Sequence, residues 1–434
     1  MASHEAGCYG YSVLKLWQLA AGALLVAVLL GACGEEDTES EPGPRLDLTV
    51  GNSIPLTGAL DAFGRSGKKA AEAGAGVVQQ AIDELEGRQR ISLAFTDNGG
   101  GEDPEKAVEG ARELIEEDAA DCIVGAWATT DTREIAVEAA IPAEIPLISP
   151  AAPGDELTEL DDEGLVSRTS APDRYQGPTL AMAVADDLGA AEDAAVNVAA
   201  RDDAYGAAIA DGFVAKWKEL GGEIGHDVRY RPGAPIPEAT AKEIVADEPQ
   251  ALVIVDFPES FGLLAEPLAA TGSYDPAITW STDGLAVGDL PADAIEGLRG
   301  TVPGTPDADE STQAFFELYE EAAPTGVEPQ TFDAHVFDAV VLCFLAAYAA
   351  GGDEGQRLAE QLDRVSGPPG EPFTWGELPD AMRALAAGRE IDYQGASGGI
   401  DLDPQGDPTT GTYDIYRYDG EELKIVDEVP LTTD

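Results

Sequence analysis

From Leu46 onward, short runs rich in β-branched and apolar residues alternate with longer Ala-rich stretches whose apolar positions recur every three or four residues. The short runs suit strands covered on both faces, and the longer ones suit helices that bury a single stripe. The pattern predicts strands over 47–53, 91–95, 122–126, 146–149, 194–198, 224–228, 251–255 and 277–280. Helices are predicted over 68–85, 104–117, 131–140, 177–187, 205–220, 239–245, 259–270, 313–322 and 332–349. Asp103-Pro104 marks a helix start, since an Asp acceptor precedes a proline whose missing N–H costs nothing in the first turn. Strand-helix alternation is the mark of parallel βαβ units. Here it runs through two successive blocks, which predicts an α/β fold of two Rossmann-like lobes with parallel central sheets.

The segment ahead of Leu46 has a different pattern. An apolar stretch beginning at Leu16, preceded by Lys15, ends in Leu30-Gly31-Ala32-Cys33. It is shorter than the roughly 20 residues a spanning helix needs, so it reads as an export signal. Small residues before a cysteine at its end resemble a bacterial lipobox. Residues 1–32 are then a signal peptide and Cys33 carries lipid at the outer face of the cytoplasmic membrane, each buried CH₂ contributing about 0.8 kcal/mol. The long region before Lys15 contains Glu5, which also fits a start downstream of Met1. Residues 33–45, with the run GEEDTESEPGP, carry too little apolar surface to fold and read as an acidic tether. No later segment reads as a membrane span.

Charge narrows the choice of partners. The chain has 83 acidic and 25 basic residues, a formal net charge of -58. Nucleic acid and other polyanions are excluded, because phosphate binding needs a concentrated cationic surface. So large an excess repels itself unless salt screens it, and the Debye length falls from about 8 Å at 0.15 M to about 3 Å at 1 M. Two readings stay open: a charged surface that keeps a secreted protein soluble, or adaptation to high salt. Of the four cysteines, Cys8 lies in the leader and Cys33 in the lipobox. Cys122 and Cys343 sit in apolar runs and read as small hydrophobes, with pairing left open in an oxidising compartment.

Catalytic chemistry is hard to find. Outside the leader the only histidines are His226 and His335. Gly395-Ala396-Ser397-Gly398-Gly399 matches the G-x-S-x-G string of a nucleophile elbow, but the run that follows, with Pro404 and Gly406, signals a turn where that motif needs a helix. Asp401, Asp403, Gln405 and Gly406 look like the opening of a calcium loop, yet its twelfth position is Thr412 and no bidentate Glu. A turn explains them better. No spacing fits zinc or a P-loop, so neither a metal nor a cofactor is expected.

The order of segments resembles the type I periplasmic-binding-protein superfamily, in its leucine/isoleucine/valine-binding branch that feeds ABC transporters. The resemblance runs from about Leu46 to Val429. It rests on LTVGNSIPLTGALDAFG, TDNGGGEDPEKA, VGAWATTDT, IPLISPAAPGDEL, SRTSAPDRYQGPT, ARDDAYG, LVIVDFPES, WSTDG, TFDAHVFDAV and the ending DYQGASGGIDLDPQGDPTTGTYDIYRY, in that order. It implies one lobe from 46–170 and 303–402 and another from 171–302 and 403–434, joined by three hinge crossovers near Ala171, Thr301 and Asp401. An amino acid, branched-chain or related, would bind between the lobes and be delivered to an ABC permease, and no bond would be made or broken.

By the same resemblance Thr129, beside Ala128, is the hydroxyl that meets the ligand carboxylate, and Ala151 and Ala152 offer backbone groups. The next family position, usually threonine or serine, is Pro153, which has neither hydroxyl nor N–H to give. Asp283 stands where an acidic residue pairs with the ligand ammonium, and Phe63, Trp127, Tyr205, Phe257 and Phe332 are implied to line the pocket. Phe63 stands where tyrosine is common, and Trp127 is large for its place. Two rival outputs remain: a same-fold sensor or importer component for amides, urea or another small polar solute, and a secreted hydrolase using Ser397 or an acidic pair.

Overall fold

The computed structural model describes residues 43–431 apart from 59, 102, 193, 287–289, 307–308 and 322–326. The signal peptide, Cys33 and nearly all of the tether lie outside the described residues.

The first lobe is built on β1 (Asp47–Ile54), β2 (Arg90–Asp97), β3 (Cys122–Val124), β4 (Leu147–Ser149) and β5 (Val166–Arg168), all parallel and ordered β2-β1-β3-β4-β5. The helices α1 (Asp61–Glu84), α2 (Pro104–Glu116) and α3 (Thr129–Ile135) connect the earlier strands. The second lobe holds α4 (Asp173–Leu188), β6 (Ala195–Arg201), α5 (Ala204–Glu219), β7 (Glu223–Tyr230), α6 (Glu238–Ile244), β8 (Ala251–Val255), α7 (Pro258–Ala270), β9 (Thr279–Ser281), α8 (Ala292–Ile295) and β10 (Arg299–Gly304). The chain then returns through α9 (Glu310–Glu321), α10 (Asp333–Ala350), α11 (Gly355–Ala359), α12 (Leu362–Ser366), β11 (Glu371–Thr374), α13 (Leu378–Ala386), β12 (Ile391–Gly395) and β13 (Gly398–Gly399). The last three of those strands form a small sheet, β11-β12-β13. Finally β14 (Thr412–Asp419) and β15 (Glu422–Pro430) add antiparallel to the second sheet, giving β15-β14-β10-β9-β8-β6-β7.

The central strands of the two large sheets are covered on both faces, which is why they read as near-continuous apolar runs: β8, ALVIV, is buried at every position. α10 is apolar all round and almost wholly buried, so it is the central helix of the first lobe, packed among α1, β1 and β3. By length and composition it could also cross a membrane, contrary to the expectation that no segment after Cys33 could, but 94% of its apolar window is buried within the protein.

Cys122 of β3 and Cys343 of α10 form a disulfide, with Cα atoms 6.1 Å apart. This corrects the reading of both as small hydrophobes. Sequence placed them in two apolar runs 221 residues apart and held nothing to show that a core helix would lie directly on the central strand. Ser397 is no elbow nucleophile: it lies in the turn between β12 and β13, and its hydroxyl donates to the buried Asp338 carboxylate at 2.6 Å. Asp403 closes a turn by accepting from the Gln405 and Asp407 N–H groups.

The chain passes between the lobes after Arg168, after Gly304 and after Gly399. Two of these passages are tied together. Arg168, at the end of β5, donates from Nε to Asp407 at 2.5 Å, both side chains being 2% exposed. Its other nitrogens bind the Ala152 and Gly154 carbonyls at 3.0 Å and the Thr158 hydroxyl at 2.6 Å. Arg174, in the first turn of α4, reaches the same Asp407 at 2.7 Å. Burial alone would raise the Asp407 carboxyl, but the Arg168 and Arg174 guanidiniums hold it below the ordinary carboxylate range.

Candidate functional site

In open parallel sheets the loops after the strand C-termini meet in a crevice where backbone groups and helix starts converge. The expected site residues fall on such loops. Trp127, Ala128 and Thr129 follow β3, Ala151 and Ala152 follow β4, Tyr205 follows β6, Phe257 follows β8 and Asp283 follows β9.

On the second lobe three of them form one cluster. The Tyr205 hydroxyl donates to Asp283 Oδ1 at 2.9 Å, lies 2.7 Å from the Thr282 hydroxyl and accepts the Gly284 N–H at 3.2 Å. Its ring stacks on Phe257 with centroids 4.4 Å apart, and the Arg201 guanidinium lies 4.2 Å over the other ring's centroid. Arg201 in turn pairs with Asp203 and Glu259. Burial raises the Asp283 carboxyl above its ordinary range, against the hydrogen bonds from Tyr205 and Gln176. Burial, and then the neighbouring Asp283 charge, raises the Tyr205 phenol well above its own. Tyr205 is therefore a donor at any ordinary pH. The strand-end residue beside Phe257, Asp256, is buried, accepts from Tyr230 at 2.7 Å, and is pushed by burial up to about 6.

On the first lobe Phe63 and Phe332 meet edge to face at 6.3 Å, both half-buried, and Phe332 also lies 5.8 Å from the His335 ring. Phe332 precedes α10 with φ of 76°, a left-handed conformation that a bulky residue adopts only when its surroundings hold it there. Trp127 is 5% exposed, and its ring crowds Gly67 of α1 so closely that a Cβ there would sit 2.7 Å from it. It packs with the first-lobe core more than it faces a crevice.

Of the groups expected to meet a ligand carboxylate, the Ala151 and Ala152 N–H groups are engaged within the protein, while the Thr129 hydroxyl accepts a bond and keeps its own proton to donate. The helix begins at Thr129, two residues before the expected start, and the Thr129 hydroxyl accepts the Gly154 N–H at 3.0 Å. Ala152 gives its N–H to Ser149 Oγ at 2.9 Å and its carbonyl to Arg168. The Ala151 N–H reaches the same Ser149 oxygen at 3.4 Å. With Pro153 between them, this loop spends its polar groups on its own shape.

A family model described as a periplasmic binding protein matches residues 47–420. The chain belongs to that family. Among curated relatives, the chemotactic signal transduction system substrate-binding protein BasB of Halobacterium salinarum is 28% identical over 377 residues, covering 84% of this chain and 85% of BasB. Leu/Ile/Val-binding protein homolog 1 of Brucella abortus is 25% identical over 386 residues, covering 86% and 91%. Among solved structures, the branched-chain amino acid transporter substrate-binding protein LivJ of Streptococcus pneumoniae, in complex with isoleucine, superposes with a TM-score of 0.67 at 20% identity, covering 88% of this chain and 99% of its own. The last likeness shows the fold, a type I periplasmic binding protein of two α/β lobes.

In this binding protein, two landmarks hold polar residues of the second-lobe cluster that the sequence did not single out. WSTDG yielded Asp283, but Thr282 also meets Tyr205, and SRTSAPDRYQGPT yielded none although Gln176 bonds Asp283. Asp173 from the same run is 3% exposed with Oδ1 lacking a hydrogen-bond partner among the described residues. A polar residue inside an otherwise recognisable motif was the available signal.

Proposed function

We propose that this chain is an extracytoplasmic solute-binding lipoprotein that captures an amino acid, branched-chain or related, between its lobes and delivers it to an ABC permease. The observation that carries the reading is the Tyr205, Thr282, Asp283 and Phe257 cluster. A carboxylate in a closing crevice is costly unless it meets a cation, and the ligand ammonium supplies one beside an apolar wall. Closure about three crossovers converts occupancy into a shape that a membrane partner can read. The Cys122–Cys343 disulfide supports an oxidising location. Lipid on Cys33 would retain the protein near its permease. The binding role belongs to a class of proteins that hold solutes unchanged, and the internal use of Ser397 argues against a hydrolase.

A thermal-shift screen of amino acids and short amides at low and high salt tests this. Leucine, isoleucine or valine is expected to raise the melting temperature, and Asp283→Ala to remove the shift. If only an amide or urea raises it, the amino-acid assignment fails. The similarity to BasB, a chemotactic binding protein, favours a second output in which the same closure reports to a sensory partner. A permease and ATPase encoded beside this chain would decide for transport.

A further inference from the structure

Phe332 keeps its left-handed backbone, φ 76°, immediately ahead of α10, and for a bulky residue such a conformation persists only where neighbours hold it. The residue that holds it is the next one. The Asp333 N–H donates to the Gln330 carbonyl at 3.2 Å, and the Asp333 carboxyl accepts the Gln330 N–H at 2.9 Å, so the turn over 330–333 is closed twice around Phe332. Asp333 is 2% exposed, and the Ser66 and Tyr319 hydroxyls and the Lys69 amine all favour its charged form. Those partners are tied to one another and to the second ring of the wall. The Tyr319 hydroxyl donates to the Ser66 carbonyl at 3.4 Å, and the Ser66 hydroxyl donates to the Phe63 carbonyl at 3.2 Å. Lys69 Nζ lies 3.4 Å from the centroid of the Tyr319 ring and has no hydrogen-bond partner among the described residues, so the Asp333 charge helps to offset its burial. Phe63 meets Phe332 edge to face at 6.3 Å. One buried carboxyl thus sits where the backbones of both rings are fastened.

We propose that Asp333 is a positioning residue whose charge fixes the Phe63 and Phe332 wall, and with it the preference for a large ligand side chain. The inference rests on the ligand lying between the lobes as proposed above, with those two rings against its side chain. Ionised, the carboxyl accepts from Gln330 and its hydroxyl neighbours and balances Lys69. Protonated, one of its oxygens becomes a donor and the balance with Lys69 is lost. The turn then slackens, Phe332 is free to leave its left-handed conformation, and the wall loses its shape. Burial pushes the Asp333 carboxyl up to about 7, so the two forms exchange near neutral pH. The charged and titratable groups around it are Lys69 of α1, Tyr319 and Glu320 of α9, Glu328 ahead of α10 and His335 of α10. Burial raises the Tyr319 phenol and lowers His335 to about 4, so neither changes charge in that range. Binding that needs the ionised form is weaker below about pH 7 and strengthens as pH rises through it.

The test uses the full chain in about 2 M salt, where charge repulsion between distant groups is screened. Leucine and alanine carry the same ammonium and carboxylate, so the groups that meet those, Asp283 among them, cancel in the ratio of the two dissociation constants and the wall remains. In wild type the preference for leucine should fall about ten-fold from about pH 8 to about pH 6, the scale of one apolar contact in a pocket. Asp333→Asn keeps the shape and an acceptor for Gln330 but carries no charge, and it should show the lower preference at both pH values. A wild-type preference that does not change with pH overturns the proposal, as does the same pH dependence in Asp333→Asn. Should that variant fold poorly, hydrogen exchange of the Gln330 amide in ligand-free wild type decides. Corrected for its intrinsic rate, the protection must drop between the two pH values, and unchanged protection overturns the proposal. If neither amino acid binds wild type, the amino-acid assignment falls, and the exchange result alone decides whether Asp333 holds the wall.

Discussion

His335 lies in the first turn of α10 with its ring against Phe332 and Nδ1 without a partner among the described residues. Burial lowers its pKa to about 4, below the ordinary value of about 6.5. The folded state therefore binds fewer protons than the unfolded state between those values. Stability from this group is complete above about pH 6.5 and drains away as pH falls through 4, by on the order of 3 kcal/mol. The buried Asp338, pushed by burial up to about 6, works in the opposite direction, so the difference between variants is the readout. Relative to wild type, His335→Gln should lose less melting temperature between pH 7 and pH 4. At Tyr205 a different outcome is expected: Tyr205→Phe keeps the stack on Phe257 but drops the bonds to Asp283 and Thr282. Titration calorimetry should show ligand affinity about ten-fold weaker, from the loss of one charge-assisted bond of about 1.5 kcal/mol. Tyr205 and Asp283 were legible because each opens a loop after a recognisable strand. Thr282 and Gln176 were not, since a polar residue in an acidic chain carries no sign of which neighbour it will meet.

Among the elements, the βα repeats were legible and the closing strands were not. β8 fell at its predicted limits because five consecutive buried apolar residues leave no other choice. β14, TYDIYRYD, escaped because its buried tyrosines alternate with charged residues and follow a Pro/Gly-rich turn, and β15 is exposed along most of its length. β14 is held by β10 and β15 by β14, and the Tyr416 and Tyr418 hydroxyls of β14 donate to the Thr282 and Leu285 carbonyls at 2.8 and 2.6 Å. The late strands thus buttress the Asp283 loop. The passage that leads to them depends on Arg168 and Asp407. Replacing Asp407 by Asn leaves two guanidiniums short of their anion, one of them buried, and should cost about 3–5 kcal/mol in denaturant unfolding. A change below 1 kcal/mol would mean that the passages are not held by this pair.

At the scale of the molecule, a net charge of -58 over the full chain, most of it on the two lobes, makes the fold sensitive to ionic strength. The melting temperature should climb between about 0.1 and 2 M NaCl, and a flat profile would assign the acidic surface to solubility alone. The two-lobe plan was visible in the rhythm of the sequence, but the covalent link inside it was not. That link joins β3 to α10, both in the first lobe, one reached before the chain enters the second lobe and the other after it returns. Reducing it should lower stability by up to about 5 kcal/mol, the chain-entropy value for so long a loop. The whole excursion from Cys122 to Cys343, with the body of the second lobe inside it, is therefore a closed covalent ring. A protease that nicks any loop of that ring opens it without releasing a fragment. Such a molecule would run as one species on a non-reducing gel and as two pieces after reduction, still carrying its ligand-binding jaws on a single connected chain.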